Sequence, residues 1–174
     1  MKTYGIWSIT LILACGVASA DEPTPKQVAK AKVEELNNAV IKEELGTIMD
    51  FTHPKIVELI GGREKMRAVL ETGMKAMKDQ GISIRSVKVD DPTDPVAAGG
   101  ELYVIVPFVM EMKVPDGKLT QKSFSLGISS DKGKSWTFVG GEVDAKKIKE
   151  LFPNLPAEVK LPERQKPVLE KDGK

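Results

Sequence analysis

The chain has 174 residues, 41% hydrophobic and 29% charged, which suits one ordinary domain with a sizeable core. Its 26 basic residues against 25 acidic ones leave a net charge of +1, without the basic excess that nucleic-acid binding requires. One Cys and one His exclude a disulfide framework, a multi-Cys zinc site and a histidine-rich metal centre, so neither a metal nor a cofactor is expected.

The first twenty residues have the plan of a secretory signal peptide. Lys2 gives a positive start, Gly5 to Gly16 is an apolar run, and Ala18-Ser19-Ala20 is a small-x-small cleavage site. Cleavage after Ala20 predicts a periplasmic or secreted protein. Ile12-Leu13-Ala14-Cys15 is a looser lipobox, so membrane attachment is expected only if Cys15 is lipidated. Removal of 20 residues leaves 154 and takes Lys2 away, which balances the charge at 25 against 25. Cys15, Trp7 and Tyr4 leave too, so Trp136, Tyr103 and His53 are the sole mature residues of their kinds. A Cys nucleophile is thereby excluded.

Residues 21–25 form a short leader. From Lys26 to Met49 apolar residues recur at helical spacing, which predicts one long amphipathic helix. Thr52 can cap a second short helix begun by Pro54 and stopped by Gly61-Gly62. Arg63 to Gln80 reads as a third, with Met66, Val69, Leu70, Gly73, Met74 and Met77 on one stripe. The period then becomes two. Ile82 to Val89 suggests a strand whose phase slips near Ser86. Asp90, Asp91 and Asp94 lie on a loop without calcium-loop spacing. Glu101 to Val114 is the strongest strand, and Pro115-Asp116-Gly117-Lys118 turns it into a returning strand, Leu119 to Ser129. Ser135 to Val139 is a further strand. Asp144 caps a short helix that Pro153 ends. A domain over 26–152 is therefore followed by an extended Pro-rich tail, 153–174, with Glu170 to Lys174 disordered.

Helices followed by an antiparallel meander predict an α+β fold. Gly62-Arg63-Glu64-Lys65-Met66-Arg67-Ala68 resembles the segment opening the third helix in the nuclear transport factor 2-like superfamily, including its SnoaL-like members. The resemblance implies three N-terminal helices on a strongly curved antiparallel sheet, the cystatin-like cone, enclosing a sheet–helix pocket. Members of that superfamily use the pocket for binding, dimerisation, isomerisation or dehydration.

Under that reading the protein is a non-catalytic module holding a small apolar ligand, or pairing with a second copy through its outer sheet face. Leu36, Val40, Met66, Leu70, Tyr103, Phe108, Met110, Trp136 and Phe138 would line the pocket. The alternative is an isomerase or dehydratase with His53 or Glu111 as base. Met110 and Met112 share a face with Val104, Val106 and Phe108, which is a core pattern rather than a thioether metal site. Ser129-Ser130-Asp131-Lys132-Gly133-Lys134-Ser135-Trp136 matches the Asp-box pattern. In it Asp131, Gly133 and Trp136 are expected to staple a hairpin, with no part in catalysis.

Overall fold

The computed structural model describes residues 22–171, so the signal-peptide and lipobox readings lie outside it. Five helices and six strands follow in order: α1 (Pro25–Lys42), α2 (Leu45–Phe51), α3 (Pro54–Ile60), α4 (Arg63–Asp79), β1 (Ser83–Val89), β2 (Val96–Ala98), β3 (Glu101–Val114), β4 (Gly117–Ser129), β5 (Thr137–Gly140), α5 (Ala145–Leu151) and β6 (Val168–Lys171). No described helix is long and apolar enough to cross a membrane.

The first helix is shorter than its periodicity suggests. Thr24 and Gln27 form a reciprocal capping box at its start. Glu43 then adopts a left-handed conformation and its N–H returns to Ala39 and Val40 carbonyls, which ends α1. Apolar spacing alone runs through this break, because Glu43 is an ordinary helix former. Thr52 closes α2, donating its hydroxyl to the Ile48 carbonyl at 2.8 Å. The cap of α3 is His53 instead.

All strand pairings are antiparallel, in the order β1-β3-β4-β5. β2 joins β3 beside β1, and β6 joins β4 beside β5. The phase slip in β1 falls at Arg85, between the Ile84 and Ser86 registers. The edges never meet, so the sheet is open and does not curl into a cone. That corrects the nuclear transport factor 2-like reading and its pocket-forming curved sheet.

Both sheet faces are covered over the inner half of the β3–β4 hairpin. On one, Ala29 and Val33 of α1 pack with Val104, Val106, Trp136 and Phe138. On the other, Tyr103, Ile105, Leu126 and Ile128 pack with Ile56 of α3, Ile148 and Phe152 of the α5 region, and Val159. The outer face expected to receive a second copy is thus filled by the chain's own later residues; Tyr103 is 1% exposed. Val159 lies within the segment read as tail, and Glu170 and Lys171, expected to be disordered, end β6. The α4 stripe is only partly used: Met66 is buried, whereas Val69 is 57% exposed.

The Asp-box octapeptide builds a tight loop between β4 and β5. Asp131 Oδ1 accepts from the Ser129 hydroxyl at 2.8 Å and the Ser135 N–H at 2.9 Å, and Oδ2 accepts from the Ser135 hydroxyl at 2.6 Å. The Trp136 indole donates to the Gly133 carbonyl at 3.0 Å. Gly133 has φ +87, and a Cβ there would run into Pro25 at the start of α1. Lys26 and Lys30 of α1 pair with Asp94 and Asp91, tying the helix to the acidic loop.

Candidate functional site

His53 is held by its surroundings. Its N–H donates to the Phe138 carbonyl at 2.9 Å, and its Nδ1 accepts from the Lys55 N–H at 3.2 Å. The ring meets Phe152 edge-on at 4.8 Å. Burial, with Lys55 nearby, lowers its pKa from 6.5. The cap requires a neutral imidazole with a free lone pair on Nδ1. The native ring therefore holds its proton more weakly than the unfolded one. Its contribution to stability is complete above about pH 6.5 and is lost as the pH falls towards the native pKa.

Asp131 adds a second acid-sensitive step. Hydrogen bonds from Ser135, then Ser129, depress its carboxyl to about 2. That contribution is present above the ordinary Asp value of about 4 and is lost between there and about pH 2. Urea midpoints measured from pH 7.5 down to 2.5 should accordingly fall in two stages. His53→Gln should abolish the upper stage and leave the lower one. A variant whose profile still carries both would contradict this assignment.

Glu111 lies far from His53. Its side chain is 43% exposed and pairs with Lys118 at 3.4 Å, and it accepts from the Ser86 hydroxyl at 3.3 Å. His53 anchors beside Phe138, whose register runs through Gly127 to Val104. Seven residues of strand separate Val104 from Glu111, about 23 Å. Among the described residues, no group of three or more His, Cys, Asp or Glu is placed to hold a metal ion. The isomerase reading on His53 or Glu111 is corrected because the open sheet encloses no pocket for either: His53 spends its lone pair on the Lys55 N–H, and Glu111 is solvated beside Lys118. Tyr103 donates its hydroxyl to Glu101 at 2.5 Å, and burial followed by that carboxylate raises the phenol pKa.

The expected pocket does not form as one site. Trp136 and Phe138 belong to the core under α1, with Leu36 and Phe108 beside them. Tyr103 belongs to the core on the opposite face. Val40 is half-buried on α1, and Met66 and Leu70 lie on α4, which packs on α2 and α3. The helix–sheet interface is packed core, which corrects the small-ligand pocket placed there.

A groove of about 710 Å³ lies elsewhere. Its apolar lining includes Pro107, Val109 and Phe124, and residues 162–167 pass over it as a strap. Phe108 and Met110 are the two expected pocket residues that border it. Lys122, Arg164, Lys166, Asp90, Glu142 and Glu163 supply its charged lining.

The groove coincides with a gap in the sheet edge. β5 pairs with β4 from Ser125 to Ile128, and β6 pairs with it from Gly117 to Thr120. Gln121 to Ser123 have no strand partner on that side. The Phe124 carbonyl accepts from the Gly141 N–H at 2.8 Å, and the Lys122 carbonyl takes only the Gln121 side-chain amide at 3.3 Å. Successive residues alternate direction, so Lys122 turns its backbone to the same open edge as Phe124.

Few contacts hold the strap. The Arg164 guanidinium donates to the Glu142 carbonyl, Gln121 Nε2 donates to the Gln165 carbonyl at 3.4 Å, and Lys118 pairs with Glu170 at 3.2 Å. Every residue from Pro162 to Lys171 is exposed. The prolines of the tail are visible in the sequence, but the groove is not, because it depends on where β6 lands. The short apolar pair Val168-Leu169 was the one local signal of that strand. Comparison with family models, curated proteins and solved structures gives no match to this chain, so neither the superfamily resemblance nor any other family assignment gains support.

Proposed function

We propose that this chain is an exported binding protein whose groove, between the β3–β4 face and the 162–167 strap, takes an extended polypeptide segment. The observation that carries this reading is the unpartnered β4 edge at Gln121–Ser123, beside the apolar floor of Pro107, Val109 and Phe124. Backbone groups left open at a strand edge are met by another extended backbone, while neighbouring pockets select side chains. The lining's mixture of three cations and three anions suits a peptide better than a wholly apolar ligand. Export rests on the Ala18-Ser19-Ala20 cleavage pattern.

A test uses the chain from Asp21 onwards and the peptide acetyl-Thr-Glu-Thr-Val-Leu-Glu-Lys-amide, followed by amide chemical shifts. Saturable shifts clustered at Val109, Gln121, Lys122 and Phe124 are expected. Val109→Asp should weaken binding at least tenfold while the chain stays folded. Absence of saturable shifts at millimolar peptide would dispose of this function.

A further inference from the structure

The register of β6 explains why the strap leaves the sheet. Thr120 faces Val168, Leu119 faces Leu169, Lys118 faces Glu170 and Gly117 faces Lys171. Continuing that register places Pro167 opposite Gln121 and Lys166 opposite Lys122. Gln121 turns its backbone to β3, so Pro167 opposite it would forfeit no hydrogen bond to β4, but its φ, fixed at about −65°, departs from the extended strand. Like charges directly across a pair of strands repel. The chain's own tail therefore matches four positions of the β4 edge and mismatches the next two.

The four matched positions are weakly fastened. Val168 is 60% exposed and Leu169 44%, so β6 buries little apolar surface. A segment with so little burial opens at low free-energy cost. When it leaves, β4 presents Lys118 and Lys122 on one face of a seven-residue edge, Gly117 to Ser123. Lys118 keeps Glu111 as a neighbour after losing Glu170. On the opposite face, Ile84, Met112 and Leu119 form a continuous cross-strand row that ends at Leu169.

We propose that the partner segment displaces β6 and adds to β4 as an antiparallel strand carrying acidic side chains opposite Lys118 and Lys122. An apolar side chain lies opposite Leu119, and no proline faces Gln121. This rests on the groove reading above and specifies its mode and chemistry. The C-terminal strand is then a resident surrogate that a better-matched strand replaces. Charge complementarity selects the acidic pattern: Lys118 already holds Glu170, whereas the continued register would set Lys122 against Lys166.

Three comparisons in the intact chain decide it. The heptapeptide above places Glu opposite Lys122, and a control peptide carries Lys at that position. The Glu peptide should bind about tenfold more tightly, and Lys122→Glu should invert the order. Its binding should also remove hydrogen-exchange protection from the β6 amides. In the double variant Lys166→Glu with Pro167→Thr, the chain's own strap gains the missing acid and, at 167, a residue free to take extended strand angles. That variant should protect the Lys122 amide from exchange and lose at least tenfold in peptide affinity. Equal binding of both peptides, with β6 still protected, would overturn the displacement while leaving the groove reading intact. So would an unchanged affinity in the double variant. No saturable binding of either peptide would overturn both.

Discussion

Replacing Trp136 with alanine is expected to lower the free energy of unfolding by about 3–5 kcal/mol, the range for deleting a buried aromatic side chain. The indole is 4% exposed and belongs to the cluster beneath α1. It also donates to the Gly133 carbonyl, so its loss removes both packing and the floor of the Asp-box loop. Gly133 in turn abuts Pro25, and the start of α1 should loosen with it. Urea unfolding followed by circular dichroism measures the effect, since the variant made from Asp21 onwards has no other tryptophan. A loss below about 1 kcal/mol would mean that α1 is held chiefly by something else.

Gly127→Val is expected to cost about 3 kcal/mol for the opposite reason. A Cβ at Gly127 would lie 2.8 Å from Val104 Cγ1 and 3.1 Å from both Phe138 and Trp136. All three neighbours belong to the same cluster, and Val104 is fully buried. No strained backbone angle is involved, so the cost is overpacking alone. Val104→Ala made in the Gly127→Val background should recover at least about 1 kcal/mol, although Val104→Ala by itself destabilises. Strict additivity of the two substitutions would refute a steric clash between them.

The inner hairpin was the most legible part of the sequence. Period-two alternation from Glu101 and the Pro115-Asp116-Gly117 turn place β3 and β4 almost to the residue. Apolar residues on both faces of β3 need a cover on each, which the sequence reading assigned to a ligand or a second copy and the chain itself supplies. What supplies the second covering was not legible. Phe152, Leu155, Val159 and Leu161 are spaced irregularly among prolines, with no helical or strand period to mark them as core. A meander after helices is equally compatible with a curled sheet and with an open one covered on both sides, so the pattern alone could not exclude the cone.

The functional residues divided in the same way. His53 stood out because it is the sole imidazole, but uniqueness carries no information about contacts, and its lone pair is spent on a helix cap. Glu111 interrupts an apolar strand, yet its half of the hairpin is partly solvated. The groove escaped notice because it arises from a long-range register. Pro167 and Lys166 are unremarkable in a tail. They become informative only once Val168 is seen facing Thr120.

The contact between Pro25 and Gly133 has a consequence for the order in which the molecule assembles. It joins points more than a hundred residues apart, and Ala29 and Val33 rest on Trp136 and Phe138 from the same late stretch. The β3–β4 hairpin closes locally and can form early, while α1 has no complete surface to dock on until β5 exists. During synthesis the first helix therefore waits, undocked, for nearly the whole domain to appear. Until then, α1 stays free of tertiary contacts, and its docking against the Asp-box loop becomes a late, consolidating step of folding.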